Sequence, residues 1–227
     1  MPILGKAALA MWWDMAADAC AEFEHWHAHE HFPERLGIPG FHRASRWKSA
    51  DGGEGIFVMY ELRDHDVLAS APYLARLNAP TPWSTRMMPF HRNMVRSQCQ
   101  VLESSGGTVA RHALTLRLSP APGQEEALRA AIARVAKEVT GEPGLTGMHL
   151  LRHQSPAIAA TREQQIRGLA DRNADWVLVT CGYDPARLQA LDASLLDEAA
   201  LVAMGAAAGA VRGMYTLSQS GVPGDIS

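Results

Sequence analysis

The residues best suited to chemistry lie between Phe23 and Trp47, in the string FEHWHAHEHFPERLGIPGFHRASRW. On a helix, residues three and four apart share a face, so Phe23, Trp26, His27, Glu30 and His31 fall on one side. His25, His29 and Phe32 fall toward the other. The first side continues the apolar face begun by Ala16, Ala19 and Cys20, so it is the one expected to turn toward the rest of the fold. Two imidazoles and a carboxylate then stand where apolar side chains belong. His27 and His31, oriented by Glu30, can form a proton-transfer pair, because a neutral imidazole titrates near working pH and both takes and returns a proton. The plainer alternative is a helix end whose histidines bond backbone carbonyls or water. As metal ligands, His27 and His31 have the spacing of a helical zinc site, but Glu30 is misplaced for H-E-x-x-H and no third ligand is evident, so no metal is assigned. Haem would need one proximal histidine, and nothing in the string singles one out.

Other candidates surround this core. Arg46 and Tyr60 lie on adjacent expected strands and could hold a carboxylate or phenolate; otherwise Arg46 is a surface charge and Tyr60 ordinary core. Trp83 and Arg86 sit in the proline-punctuated segment Asn78–Pro89, where they could form a lid, since long loops in compact domains are often functional. Equally, Trp83 could simply anchor the loop. Of Trp12 and Trp13, whichever faces inward would border a cavity. The ten methionines are compatible with an adaptable interior.

Composition excludes more than it assigns. With 227 residues, the chain has room for one large domain or two smaller ones. At 47% apolar and 20% charged residues, most of it is expected to be ordered. The formal charge of −3 and the lack of any Lys/Arg run argue against nucleic acid. No segment offers the ~18 apolar residues of a membrane span, and MPILGKAALA lacks the marks of a signal peptide, so a cytoplasmic setting is expected. Cys20, Cys99 and Cys181 are odd in number and scattered, which fits buried thiols better than a disulfide framework.

Periodicity then supplies the elements. Ala7–Trp13 reads as a strand covered on both faces. A helix follows over Ala17–Phe32, with Asp14 or Asp18 as candidate N-cap; Pro33 should loosen its end, because proline disfavours helix in the residue before it. Phe41–Lys48 and Ile56–Leu62 are strands joined by the Asp51–Gly55 turn. Asp66–Leu77 is a helix capped by Asp64, and Asn93–Leu102 a strand. Ser104–Thr108 is the best linker, and beyond it the order starts again: strand His112–Leu118, helix Gly123–Val139, strand Met148–His153, strand Trp176–Tyr183, helical region Pro185–Ala203, strand Val211–Ser218. Pro39-Gly40 and Pro143-Gly144 are separated by the same interval as the first strands of the two halves, the mark of an internal duplication. Past that point the register slips, so the second half carries an insertion at 155–174 in which TREQQIRGL forms a short surface helix. The expected fold is α+β: two tandem ferredoxin-like (β-α-β-β-α-β) halves, 1–104 and 109–220, with antiparallel sheets packed as one barrel or paired across a homodimer. Each such half has helices on one face only and must cover the other.

The string WHAHEHFPERLGIPGF followed by RASRW resembles the EthD-like branch of the dimeric α+β-barrel superfamily. Its members carry an aromatic and histidine-bearing helix end, a proline, and a Pro-Gly turn into the second strand. The match is specific over Phe23–Trp47, looser through the rest of the first half, and topological only in the second. The resemblance implies two four-stranded sheets packed face to face, with a small, mostly apolar ligand held between sheet and helices. It also implies a cofactor-free isomerase, decarboxylase or monooxygenase working on an aromatic, polyketide or lactone-type molecule in a barrel cavity, although haem-dependent relatives exist. His31, or less securely His27, takes the place of the family's helix-end histidine; which of His25, His27, His29 and His31 faces the pocket stays open. The corresponding second-half helix, EEALRAAIARVAKEVTG, has neither histidine nor aromatic residue, so the site is expected in the first half. The catalytic set expected is therefore His31, His27 and Glu30, with Trp26, Arg46, Tyr60, Trp83 and Arg86 binding substrate. A non-catalytic module for a hydrophobic metabolite is the alternative.

Overall fold

The computed structural model describes residues 2–107, 109–169 and 171–226. Eight antiparallel strands form a closed barrel in the order β1-β3-β2-β8-β5-β7-β6-β4. In the first half, β1 (Ala7–Asp14), β2 (Phe41–Ser49), β3 (Gly55–Leu62) and β4 (Arg92–Gly106) are joined by α1 (Cys20–Trp26), α2 (Phe32–Leu36), α3 (Ala71–Asn78) and α4 (Pro82–Met87). In the second, β5 (His112–Leu118), β6 (Leu145–His153), β7 (Trp176–Gly182) and β8 (Val211–Gly221) carry α5 (Glu125–Val139), α6 (Arg162–Ile166), α7 (Pro185–Asp192) and α8 (Glu198–Met204). The sheets β4-β1-β3-β2 and β8-β5-β7-β6 thus have the same ferredoxin-like order. They are sewn into a ring by β2–β8 and β4–β6 pairing, all within one chain.

Strand alternation divides the core into three. Every second residue of a strand faces the same way. Ala8, Ala10 and Trp12 of β1 point into the barrel, while Ala7, Leu9 and Trp13 point out beneath the helices. The barrel interior is filled by side chains: Trp12 and Trp47 stack on Phe57 at 5.0 and 5.1 Å between ring centroids, and Cys99 and Cys181 are buried there. Two further cores lie outside it, each between one sheet and its own helices. These side chains pack the barrel interior, and the space bordered by the histidines lies in the first outer layer, between sheet and helices as the resemblance implies.

The two Pro-Gly turns play the same part in both halves. Gly40 (φ +97°) and Gly144 (φ +94°) are left-handed, a conformation open to glycine, and each leads into a strand whose register then slips by a bulge, at Phe41/Arg43 and at Leu145/Gly147. Several boundaries differ from expectation: Asp64 caps a short 3-10 turn over His65–Ala69 while α3 starts after Ser70, and Pro82–Met87 of the expected loop is helical. Ser104–Gly106 continue β4, pairing with His149, Met148 and Gly147, because β6 offers a partner edge there; Thr108, the end of the expected linker, lies outside the described residues, as does Ala170 of the insertion. The first helix starts at Cys20 after Ala19, with no side-chain cap from Asp14 or Asp18. Nor does Pro33 end it. The chain makes a π-helical turn over His27–His31, closed by the Phe32 N–H on the His27 carbonyl, and runs on as α2 through Leu36. Proline lacks an N–H and crowds the carbonyl one turn back, so it is best tolerated in a first turn, and here it opens α2. Among the described residues no helix is long and apolar enough to cross a membrane.

Candidate functional site

A small, partly enclosed cavity of about 40 Å³ lies between the outer face of the first sheet and the helices above it. At roughly 10–15 Å³ per water, this holds about three solvent molecules. Its floor is Leu9, Met11 and Trp13 of β1, Tyr60 of β3, and Met94 and Arg96 of β4. Trp26, His27, His31 and Arg35 form the roof, and Tyr73, Met88 and His91 close one side. Glu163 and Arg167, from α6 and the residue after it, complete the wall, so the second half's insertion seals the first half's cavity.

The π turn decides what the roof presents. Such turns recur at functional sites because they re-aim side chains within a helix. His27 and His31 are 1% and 8% exposed, and their rings lie 5.4 Å apart. His27 packs on Phe32 (4.3 Å) and Phe23 (5.1 Å), and His31 on Trp26 (4.5 Å). Among the described residues the Nδ1 atom of each has no hydrogen-bond partner, nor has the buried hydroxyl of Tyr60, and the nearest carboxylate to His31 Nδ1 in an ion pair is Glu34 at 3.8 Å. Buried polar atoms are nearly always satisfied, so these orphans mark groups held ready for a ligand or water. Burial, reinforced by the Arg46 charge at His27 and the Arg35 charge at His31, pushes both imidazoles well below their ordinary pKa. Both are neutral bases near pH 7.

His91 is a third neutral imidazole. Its Nδ1 donates to the carbonyls of Met87 (3.1 Å) and Met88 (3.2 Å), which leaves Nε2 as the acceptor, and burial lowers its pKa to about 4. The cations at the cavity fall into two groups. Arg35 bonds Glu163 (2.5 Å) and Glu34 (3.3 Å); burial acts to lower its pKa, but those carboxylates and Tyr73 outweigh it and hold the guanidinium above its ordinary value. Arg167 is held by Asp171 at 2.7 and 3.1 Å. Arg96 donates to the Tyr73 hydroxyl at 2.9 Å and has no carboxylate partner among the described residues.

Of the residues singled out from the sequence, His27, His31, Trp26 and Tyr60 meet at this cavity. Glu30 does not face the imidazoles. It accepts from Trp26 Nε1 (3.0 Å), Thr81 Oγ1 (2.5 Å) and Ser84 Oγ (3.1 Å), tying the indole to α4. Arg46 is buried behind Phe23 and Phe32, 5.5 and 6.0 Å from their centroids, where its Nε donates to Ser218 and burial lowers its pKa to about 10. It does not line the cavity. Trp83 and Arg86 sit on the outside, where the Trp83 indole donates to Glu22 (3.2 Å) and Arg86 lies 3.9 Å from it. They fasten α4 to α1. The sequence reading passed over Arg35, Tyr73, His91, Arg96, Glu163 and Arg167. One signal for two of them was present, because an insertion confined to one half needs something to cover.

Among the described residues no cluster of three or more His, Cys, Asp or Glu side chains could hold a metal ion. At about 40 Å³ the cavity is below the ~300 Å³ at which pockets for drug-sized ligands begin, so an aromatic guest enters only as the side chains around it move.

No family model matches the sequence, and no curated protein matches it. Solved structures do. The chain resembles an anthrone oxidase-like protein with a TM-score of 0.65 and 12% identity, covering 100% of this chain and 98% of that one. It resembles a candidate monooxygenase of Fusobacterium nucleatum (TM-score 0.63, 9% identity, 96% and 95% covered). A candidate monooxygenase of Lactobacillus acidophilus is also similar (0.59, 9% identity, 98% and 96%). At such identities the likeness is one of fold, and it places the chain among the α+β-barrel proteins built from ferredoxin-like units.

Proposed function

We propose that the protein is a small-molecule enzyme of the EthD-like, monooxygenase-related kind. In this reading His27 or His31 removes a proton from an activated C–H or O–H of a planar aromatic, polyketide or lactone-type substrate. The observation that carries the reading is the pair of neutral, buried imidazoles that line an aromatic cavity and whose Nδ1 atoms have no hydrogen-bond partner among the described residues. A base must be unprotonated at working pH and aimed at a space from which water is excluded. The depressed pKa values of the two imidazoles meet the first condition, and their place on the cavity lining supports the second. Tyr60, whose hydroxyl burial keeps protonated, is the natural donor to a developing oxyanion. Trp26, fixed by Glu30, gives the substrate a flat surface.

The fold neighbours support the same class, since one is anthrone oxidase-like and two are candidate monooxygenases. Anthrone and a muconolactone are accordingly the test substrates. Loss of the acidic proton to deuterated solvent is followed by NMR, and oxygen uptake in parallel. The wild-type protein is expected to catalyse exchange of at least one of them, and His27→Ala and His31→Ala together to reduce the rate by at least about 100-fold. Binding without exchange by the wild-type protein would instead establish a non-catalytic metabolite carrier.

A further inference from the structure

The cavity adjoins a larger recess of about 240 Å³ bordered by His91, Asn93, Met94, Arg167, Asp171 and Arg172, and the two spaces share His91, Met94 and Arg167. Those three side chains are the partition between the imidazoles and solvent. Two of the recess's cations differ in availability. Arg167 is occupied by Asp171 and lies 3.8 Å from Glu163, whereas exposed Arg172 has no carboxylate within ion-pair distance among the described residues. Behind the partition, Arg96 is likewise without a carboxylate and bonds only the Tyr73 hydroxyl through its side chain. Both arginines are rigidly mounted. The Arg96 N–H donates to the Arg172 carbonyl (2.7 Å) and the Arg172 N–H to the Met94 carbonyl (3.0 Å), fastening the end of the insertion to β4.

We propose that this recess is the inlet to the cavity, and that its ligand is an organic anion, a carboxylate or phenolate on an apolar body, met by Arg172 outside and received by Arg96 within. The inference rests on the cavity being the site, as argued above. Unpaired guanidinium groups at a concave mouth raise the local concentration of anions and form charge-assisted hydrogen bonds once the anion is dehydrated. The one carboxylate lining the cavity, Glu163, is bonded to Arg35, so it does not repel such a guest. Entry requires the partition to move. Its Arg167 belongs to the insertion, which covers the site from outside the plan common to both halves.

Benzoate and benzamide, an anion and a neutral molecule of one shape, separate the possibilities, with histidine-ring NMR reporting arrival at His27 and His31. Benzoate is expected to shift those rings and to bind about tenfold more tightly than benzamide. R96Q should abolish that preference. R172Q, at an exposed position that folding does not depend on, should slow benzoate association several-fold at low salt, leave benzamide unchanged, and lose its effect at high salt. Met94→Trp, which adds bulk to the partition, should slow both probes. Equal affinity for the two probes would overturn the anion, and unaltered association in Met94→Trp would overturn the inlet. If neither probe shifts the rings while substrate exchange persists, the inlet and the anion fall and the site stands; if exchange is missing too, the site falls with them.

Discussion

The outer layers of the two halves cover sheets of the same strand order yet differ in substance. In the second half, α5 is an unbroken helix that sets Leu128, Ile132, Ala136 and Val139 among Leu114, Leu116, Leu150 and Leu178. In the first, the corresponding helix is broken by a π turn and sets Phe23, Trp26 and Phe32 beside Tyr60 and Tyr73, with two imidazoles between them. Branched aliphatic chains interdigitate and leave few voids. Large flat rings with polar edges, tilted at 35–56° to one another here, leave wedge-shaped gaps. One scaffold therefore yields a solid layer and a hollow one, and chemistry is available only where packing is incomplete.

That contrast can be broken from either side. The largest effect is expected in the solid layer, where Leu150→Ala should cost about 3–4 kcal/mol of unfolding free energy and leave turnover per folded molecule unchanged. Loss of turnover in that variant would mean that the second layer takes part in the reaction. Across the seam, Glu163→Gln leaves buried Arg35 with only Glu34 and should destabilise by about 3 kcal/mol in urea titrations. It should also admit solvent to the cavity, which tryptophan emission will report. In the hollow layer, His27→Gln should lower turnover about 100-fold, near 2.7 kcal/mol of barrier, with a smaller effect on stability.

Proton linkage sharpens the comparison. His27, His31 and His91 have folded pKa values below the ordinary ~6.5, so the unfolded chain takes up protons that the native one refuses as pH falls below that point. Stability should therefore be at its fullest above about pH 6.5 and decline on acidification, by up to about 1.4 kcal/mol per pH unit for each imidazole, until His91 protonates near pH 4. His27→Gln should flatten that slope; an unchanged slope would show that His27 is protonated in the native state. The smallest effect belongs to Glu30→Gln, which weakens the clamp on Trp26 by about 1 kcal/mol and should raise KM more than it lowers kcat.

Much of this architecture is local in origin. The apolar run Ala7–Trp13, the three-and-four spacing of Phe23–His31 and each Pro-Gly turn are visible within a dozen residues. The strand, the burial of His27 and His31 and the two turns formed as read, whereas Glu30 turned to Thr81 and Ser84. The π turn was not legible, because it depends on a single shifted hydrogen bond that leaves the residue pattern intact. Nor was the continuation of β4 through Gly106, since a serine-glycine run becomes strand only when another strand lies beside it.

By itself, then, the sequence determined the order of elements, the matching halves, and the placing of His27 and His31 on one inward face, since helix and strand periods act over neighbouring positions. Tertiary structure alone decided that Arg35 meets Glu163, that Arg96 and His91 border the imidazoles, and that Arg46, Trp83 and Arg86 stand elsewhere. Those meetings join residues far apart in the chain, and their geometry follows from the register in which the ring of eight strands closes.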